Sequence, residues 1–380
     1  MRAVSKITIW SYRRAIKPVL FRYSPDDVHA GLMKVGGVTQ KTPLLKNLPK
    51  LWAYKNKALH TKVAGVKFEN PVGLSAGFDK MIELPGLLKS VGFGWMTGGS
   101  VTLGYYGGNP RPWFVRLPRS RALVVNAGLP SEGTKSIARR VRGYPKQLFD
   151  DFPLSVSVAK TNTKACASDD EAIKDYCESL TVFNKLPQVK MLEVNISCPN
   201  TFGGEPFTTP DRLDNLLKAV NKLKLTKPIF IKMPISLEWS DFEQLLKVIV
   251  KYKIDGVAIS NLLKDRSKAK LKDDLDPSVA GNLSGMPTQQ ISTELVRKTY
   301  QAYGDRLVII GIGGVMSADD AYEKIRAGAS LVALITGLIY EGPSLIGDIN
   351  AGLARLLKRD GFKNISEAVG IDAKLAKSKK

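Results

Sequence analysis

The residues best suited to chemistry lie together at 195–200, Asn-Ile-Ser-Cys-Pro-Asn. Asn195 and Asn200 offer amide donors and acceptors, Ser197 a hydroxyl and Cys198 a thiol. Pro199 fixes the backbone between the thiol and the second amide. A loop thiol acts as a base or nucleophile at neutral pH when its surroundings lower its pKa. The same residue types also build ordinary tight turns, so the segment decides nothing alone. Histidine, the usual general base, occurs only at positions 29 and 60, ahead of the first core strand. Proton transfer is therefore expected to fall to another residue type.

Other reactive groups recur where apolar runs end. Lys232 sits inside Pro-Ile-Phe-Ile-Lys-Met-Pro. Burying a lysine unpaired is costly, so Lys232 reads as a ligand to an anionic or electron-rich group. The alternative is a side chain snorkelling out of a strand end. Gly313-Gly314 lets the backbone approach an anion, and Ser317 follows as a helix cap. Thr336-Gly337 repeats small residues after the last run. These two loops suggest a phosphate from a substrate or a flavin nucleotide. Ala76, Gly77 and Lys80 follow the first run, and Ser100 ends the second. Ser157 and Lys160 mark the third, Ser260 and Asn261 the sixth.

Eight short apolar runs must position these groups, at 71–76, 95–101, 154–159, 191–196, 229–233, 256–260, 307–312 and 331–335. Amphipathic segments at 211–225, 240–252, 288–303 and 317–327 lie between them. Eight strands alternating with helices predict an α/β chain folded as a (β/α)8 TIM barrel, whose chemistry sits at the C-terminal strand ends. An open doubly wound sheet is disfavoured by that count and by the lack of an early GxGxxG. Segments 105–121 and 264–287 read as irregular insertions at the active-site end.

The chain divides into an N-terminal helical extension (1–60), the barrel (61–362) and a basic C-terminal tail (363–380). Segment 7–22 mixes Trp10, Ile16, Val19 and Phe21 with Arg13, Arg14, Lys17 and Arg22. Ser24-Pro25-Asp26-Asp27 then opens a second helix, expected to run to about residue 35. Such a pair can lie on a membrane or cover the end of a larger domain. The net charge is +22, but the basic residues are dispersed, which fits a solvated surface better than a nucleic-acid site. Three cysteines with no CxxC pair suit a reduced setting. No apolar run reaches the roughly 18 residues that span a bilayer, and the N-terminus lacks a signal-peptide pattern.

Eight motifs in order resemble the dihydroorotate dehydrogenases: GLSAGFDK (73–80), GSVT (99–102), NISCPNT (195–201), IKMP (231–234), DGVAISN (255–261), GNLSGMP (281–287), IIGIGG (309–314) and LITGLIYEGP (334–343). The resemblance, from about residue 12 to 362, implies an FMN-binding barrel that oxidises dihydroorotate to orotate in pyrimidine biosynthesis. By motif, FMN would be held by Ala76, Gly77, Ser100, Ser157, Asn195, Lys232, Ser260, Gly285, Gly313, Gly314, Thr336 and Gly337. Lys80, Asn126, Asn195, Asn200 and Asn261 would bind substrate, and Cys198 falls on the general-base position. No metal is implied.

The subclass signals diverge. The N-terminal helices resemble the quinone-reducing class 2 enzymes, which are peripheral on the cytoplasmic side of the membrane. Cysteine at the base position and Gly128-Leu129-Pro130 resemble the soluble class 1 enzymes, which use fumarate or NAD. The extension carries more weight, so a membrane quinone and an anionic membrane surface are the expected partners. Val125-Asn126-Ala127-Gly128 is one residue shorter than the family's substrate loop, Ser157 replaces an asparagine, and Leu262 a threonine. A tRNA dihydrouridine synthase is a more remote reading, disfavoured by Ser197 before the cysteine and by the short segment after the eighth run. A flavin barrel that docks on membranes without turnover is a third, countered by the intact Lys80, Asn195, Cys198 and Asn200 set.

Overall fold

Each of the eight apolar runs becomes a strand of one closed, all-parallel barrel, in chain order around the ring. The strands are Val72–Leu74, Trp95–Val101, Leu154–Val158, Val189–Asn195, Ile229–Met233, Gly256–Ile259, Val308–Ile312 and Leu331–Leu334. The last pairs with the first, Val332 opposite Val72, so no barrel edge is left open. The computed structural model describes residues 3–42, 47–202, 204 and 207–378. Part of the loop after Cys198, at 203 and 205–206, thus lies outside the described residues.

The expected helices appear as Pro210–Lys222, Trp239–Ile249, Gln289–Tyr303 and Ala318–Ala327. Helix Asp169–Asn184 begins where Ser168 accepts from the Glu171 N–H, with Asp169, Asp170 and Glu171 in its first turn. Both devices satisfy the bare N–H groups and positive end of a helix. A hairpin, Thr61–Val63 with Val66–Phe68, plugs the end opposite the active-site loops. Its Phe68 meets Trp95 edge to face, 6.2 Å between ring centres, over Phe230, Met191 and Leu331. Gly73 is required there, because a Cβ would fall 2.1 Å from the Trp95 ring.

Three expectations change. Segments 105–121 and 264–287 are not wholly irregular. Phe114–Leu117, Ala122–Val125 and Asn282–Gly285 pair as a three-stranded antiparallel sheet beside the barrel mouth. The second N-terminal helix runs Pro25–Lys41, beyond residue 35. Its first residue is Pro25, as expected, but Ser24 makes no side-chain cap. The segment expected as a basic tail forms a helix, Ile371–Ser378, with Ala373 fully buried and Asp372 paired to Arg326.

The N-terminal extension is pinned to the barrel by polar contacts. Helix Ala3–Ser11 continues through a wider turn, Tyr12–Ile16, into Lys17–Leu20. Tyr12 donates to the Ile339 carbonyl at 2.7 Å and Lys17 to that of Tyr340 at 3.1 Å. Glu341 pairs with both Arg13 and Arg121. The buried Asp26 carboxylate accepts from the N–H groups of Trp113 and Phe114. On the same helices Ile7, Trp10, Val19, Val35 and Val38 remain exposed. Among the described residues no helix is long and apolar enough to cross a membrane.

Phe230 is 1% exposed inside the barrel. Phe230→Ala should destabilise the fold by about 3–5 kcal/mol, read as a lower denaturation midpoint at unchanged m-value.

Candidate active site

The strand ends open into a cavity of about 500 Å³ with two unlike halves. The inner half is walled by Ala76, Gly77, Lys80, Ser100, Asn195, Cys198, Asn200, Lys232, Ser260, Asn261, Gly285, Gly313, Gly314, Thr336 and Gly337. The outer half is apolar, with Ile16, Leu20, Phe21, Val28 and Leu32 of the N-terminal helices facing Leu84, Leu87 and Leu338. It therefore runs from the barrel mouth to the extension that covers it.

Of the residues that the family motifs assign to cofactor, substrate or base, all but two line this cavity. Ser157 is fully buried behind the wall, its hydroxyl 2.8 Å from that of Ser100. Asn126 also stands off the wall and accepts from Asn109 Nδ2 at 3.1 Å. Its shortened loop turns the amide toward the neighbouring insertion rather than the cavity.

Asn195 is the hub of the polar half. Its Nδ2 donates to Ser100 Oγ at 2.8 Å, and its Oδ1 accepts from the Ser197 N–H and hydroxyl, both at 3.2 Å. Asn261 Nδ2 donates to the same Oδ1 at 3.3 Å and to Ser197 Oγ at 3.0 Å. From behind, Tyr176 donates to the Asn195 carbonyl at 2.7 Å. Ser197 is thereby held in the network and buried, whereas Cys198 faces the cavity.

The loop bearing Cys198 is tied down by amides and one cation. Asn200 Nδ2 donates to the Val125 carbonyl at 2.9 Å, and its Oδ1 accepts from Asn282. Asn109 donates to the Asn200 carbonyl at 3.1 Å, and Asn162 accepts from the Phe202 N–H. Lys160, 3% exposed, donates to the Phe202 carbonyl at 2.9 Å. Burial lowers the pKa of Lys160, opposed by Cys166, Asp175 and Cys198. Asn109, Asn162 and Asn282 were not anticipated. Asn109 and Asn282 belong to the insertions, and the Asn109-Pro110 pair reads locally as a turn.

Lys80 follows Asp79, whose buried carboxylate accepts from the N–H groups of Glu83 and Leu84 at 2.7 and 2.8 Å. Desolvation pushes Asp79 up to about 6. The Lys80 ammonium is buried, has no hydrogen-bond partner and lies 5.3 Å from the Phe114 ring centre. Desolvation brings it down to about 8, partly offset by Asp79 and Asp26. Ser260 Oγ is likewise buried without a partner. An unpartnered ammonium and an unpartnered hydroxyl lining one cavity suit polar, anionic ligands.

His29 also lines the cavity, a position the sequence did not suggest. Its Nε2 donates to the Phe78 carbonyl at 2.9 Å. Desolvation and the charge of Lys80 lower it to about 4, so it is neutral near pH 7. Opposite, Gly313 and Gly314 have φ of 115° and 69°. A Cβ on Gly314 would lie 2.3 Å from that of Gln289. Only glycine fits this backbone, which leaves the loop bare to the cavity.

A family model described as Dihydroorotate dehydrogenase matches residues 58–357. The chain belongs to the dihydroorotate dehydrogenase family. It is 36% identical over 367 residues to a "Dihydroorotate dehydrogenase (quinone)" of Anaeromyxobacter dehalogenans, covering 94% of this chain and 96% of that one. A protein of the same description from Synechococcus sp. is 33% identical, with 90% and 92% covered. Among solved structures, that of the Eimeria tenella enzyme in complex with ferulenol superposes with a TM-score of 0.83 at 25% identity. It covers 93% of this chain and 98% of that one. Family membership brings with it a flavin, and the bare Gly313-Gly314 backbone and partnerless Ser260 hydroxyl are features a flavin would use.

Gly314→Asp puts a side chain and a negative charge on that backbone. It should yield protein without flavin, checked by the visible spectrum. Full flavin occupancy would refute this placement.

Proposed function

We propose that this chain is a quinone-linked dihydroorotate dehydrogenase that holds FMN in the polar half of its cavity. The observation that carries the reading is the single cavity joining the Lys80–Asn195–Cys198 wall to the apolar passage under the N-terminal helices. One end suits an anionic ring substrate and the other an apolar acceptor. The naming of its full-length relatives supports the same acceptor. Their matches cover 94% and 90% of this chain, more than the barrel alone occupies.

In this reading the Lys80 ammonium receives the substrate carboxylate. Asn195, Asn200 and Asn261 bind the ring's amide and carbonyl groups. Ala76, Gly77, Ser100, Lys232, Ser260, Gly285, Gly313, Gly314, Thr336 and Gly337 hold the cofactor, and Asn195 touches both. Ser157 acts on the cofactor only by orienting Ser100, and Asn126 on the substrate only through Asn109. A bound FMN would supply the acceptor for the hydride leaving C6 of dihydroorotate and the route for its electrons to quinone. Cys198 takes the C5 proton. Lys160 sets a cation against the Cys198 loop, within electrostatic reach of the thiol. Dihydroorotate thus loses one proton and one hydride, and the quinone leaves as quinol with two protons taken up.

The exposed apolar residues of the extension, among Arg14, Arg22 and Lys34, fit the surface of an anionic membrane on its cytoplasmic side. The barrel would stand above the surface, with the apolar passage opening toward it. Residues 1–60 would then act as the quinone-access unit and 61–362 as the catalytic unit. The class 1 reading keeps two supporting observations, the cysteine at the base position and Gly128-Leu129-Pro130, but gives the extension and its passage no role.

Val28 lines the passage away from the polar wall. Val28→Trp should slow quinone reduction while anaerobic flavin reduction by dihydroorotate keeps its wild-type rate. Equal losses in both half-reactions, or robust reoxidation of the intact protein by fumarate, would overturn the quinone reading.

Positioned proton transfer contributes about 10²–10⁴-fold. Cys198→Ala should slow flavin reduction by a factor in that range while orotate still binds. Cys198→Ser should retain more activity, chiefly at high pH, because a hydroxyl ionises far above a thiol. Stopped-flow flavin reduction across pH checks both variants. A wild-type rate in the alanine variant would place the base elsewhere.

A further inference from the structure

Behind the glycine loop lies a lysine that the reaction does not use. Lys324, on helix Ala318–Ala327, is 0% exposed. Its ammonium donates to Ser292 Oγ at 2.5 Å, Thr293 Oγ1 at 2.8 Å and the Gln289 carbonyl at 3.3 Å. All three partners are neutral, and all belong to helix Gln289–Tyr303. Burying a cation among neutral groups is costly. Nothing in the packing of two surface helices requires a charge there.

The position of Ser292 suggests what the charge serves. Its hydroxyl would lie 2.9 Å from a Cβ on Gly313, so it backs directly onto the cavity loop. The Lys324 stem passes against the strand that ends in this loop, its Cδ 3.2 Å from a Cβ on Gly311. The ammonium, the Ser292 hydroxyl and the Gly313 backbone thus form consecutive layers from the protein interior to the cavity.

We infer that Lys324 is a buried counter-charge for the phosphate of the flavin nucleotide, acting through Ser292 and the Gly313-Gly314 backbone. The inference rests on the FMN reading above and adds a residue that never touches the cofactor. Lys324 is a positioning residue, and the chemical class it selects for is a phosphorylated flavin over an unphosphorylated one.

A charge of this kind is linked to protons. Desolvation lowers the Lys324 ammonium to about 7, with Glu323 and Asp320 of its own helix opposing the fall. Asp320 is already engaged by Gln289, Ser317 and the Met316 N–H. Arg326, on the same helix, is paired with Asp360 and Asp372. The facing helix offers Gln289, Ser292 and Thr293, and the strand offers Gly311, none of them charged. A phosphate at the loop favours the protonated form and raises this pKa. Between pH 7 and the raised value, binding the phosphorylated flavin therefore takes up a proton.

The test uses the full chain stripped of flavin and titrated by calorimetry at pH 8, in two buffers of different ionisation enthalpy. At pH 8 the FMN phosphate is already a dianion and contributes no proton change of its own. FMN should bind with an uptake approaching one proton, and riboflavin, which lacks the phosphate, with none. In Lys324→Met the uptake should vanish and FMN should bind roughly tenfold more weakly, which is what remains of the attraction between a dianion and a cation about 10 Å apart at an effective dielectric near 20 when Lys324 of the flavin-free protein is mostly neutral at pH 8. Riboflavin should bind that variant as it binds wild type. Equal uptake for the two flavins in wild type would overturn the inference without needing a variant. So would an equal loss of both affinities in Lys324→Met, the mark of a merely structural role. Failure of the wild-type chain to bind FMN at all would instead overturn the cofactor reading, and this inference with it.

Discussion

The site depends on one buried amide. Asn195 ends the fourth barrel strand with its backbone carbonyl held by Tyr176 and both ends of its side chain engaged. Through Ser100 it reaches the second strand, through Ser157 the third, and through Asn261 the loop after the sixth. A buried amide of this kind tolerates little displacement, because each unmet donor or acceptor costs about 1–3 kcal/mol. The network therefore fixes the relative heights of strand ends that barrel hydrogen bonding alone leaves adjustable. It also decides which of two adjacent reactive side chains is presented. Ser197 is consumed by the network, and Cys198, one residue on, is left facing the cavity.

Around that network, polar groups are paired where they support structure and unpaired where they meet the cavity. Asp79 caps its turn with two backbone hydrogen bonds, while its neighbour Lys80 is left without a partner. Asn200, Asn282 and Asn109 tie the cysteine loop to the antiparallel sheet, while Ser260 on the facing wall stays unpartnered. Unpaired buried groups store unfavourable free energy that a fitting ligand relieves. The N-terminal helices complete the enclosure. Their inner face walls the apolar half, and Asp26, Tyr12, Lys17 and Arg13 anchor them to the barrel. An enclosure of this kind keeps water from the reacting ring and leaves one exit lined with hydrocarbon.

The barrel was legible in the chain because its strands are buried on both faces. Such strands read as continuous apolar runs, and all eight runs became strands in the expected order. The glycine loops were legible because backbone that must take positive φ or admit a close neighbour admits little but glycine. The insertions were less readable. Their strands, such as Phe114–Leu117, are half-buried and short, and they are stabilised by pairing with residues far away in sequence. The helix at Ile371–Ser378 was missed for a similar reason. Its local composition is basic, and its order comes from Arg326 and the packing of Ala373.

The sequence by itself determined the fold class, the family and the set of reactive residue types at the strand ends, since these follow from local pattern and motif order. Only the tertiary structure decided which of those residues face the cavity. It sent Ser157 and Asn126 behind the wall, brought His29 onto it, and placed Lys324 beneath the glycine loop. Whether a side chain meets a ligand or a neighbour depends on where other elements pack, which no local stretch encodes. Continuity between the polar site and the apolar passage was decided the same way. It exists because helices near the N-terminus fold back across loops about 300 residues later, where Tyr12 and Lys17 meet Ile339 and Tyr340.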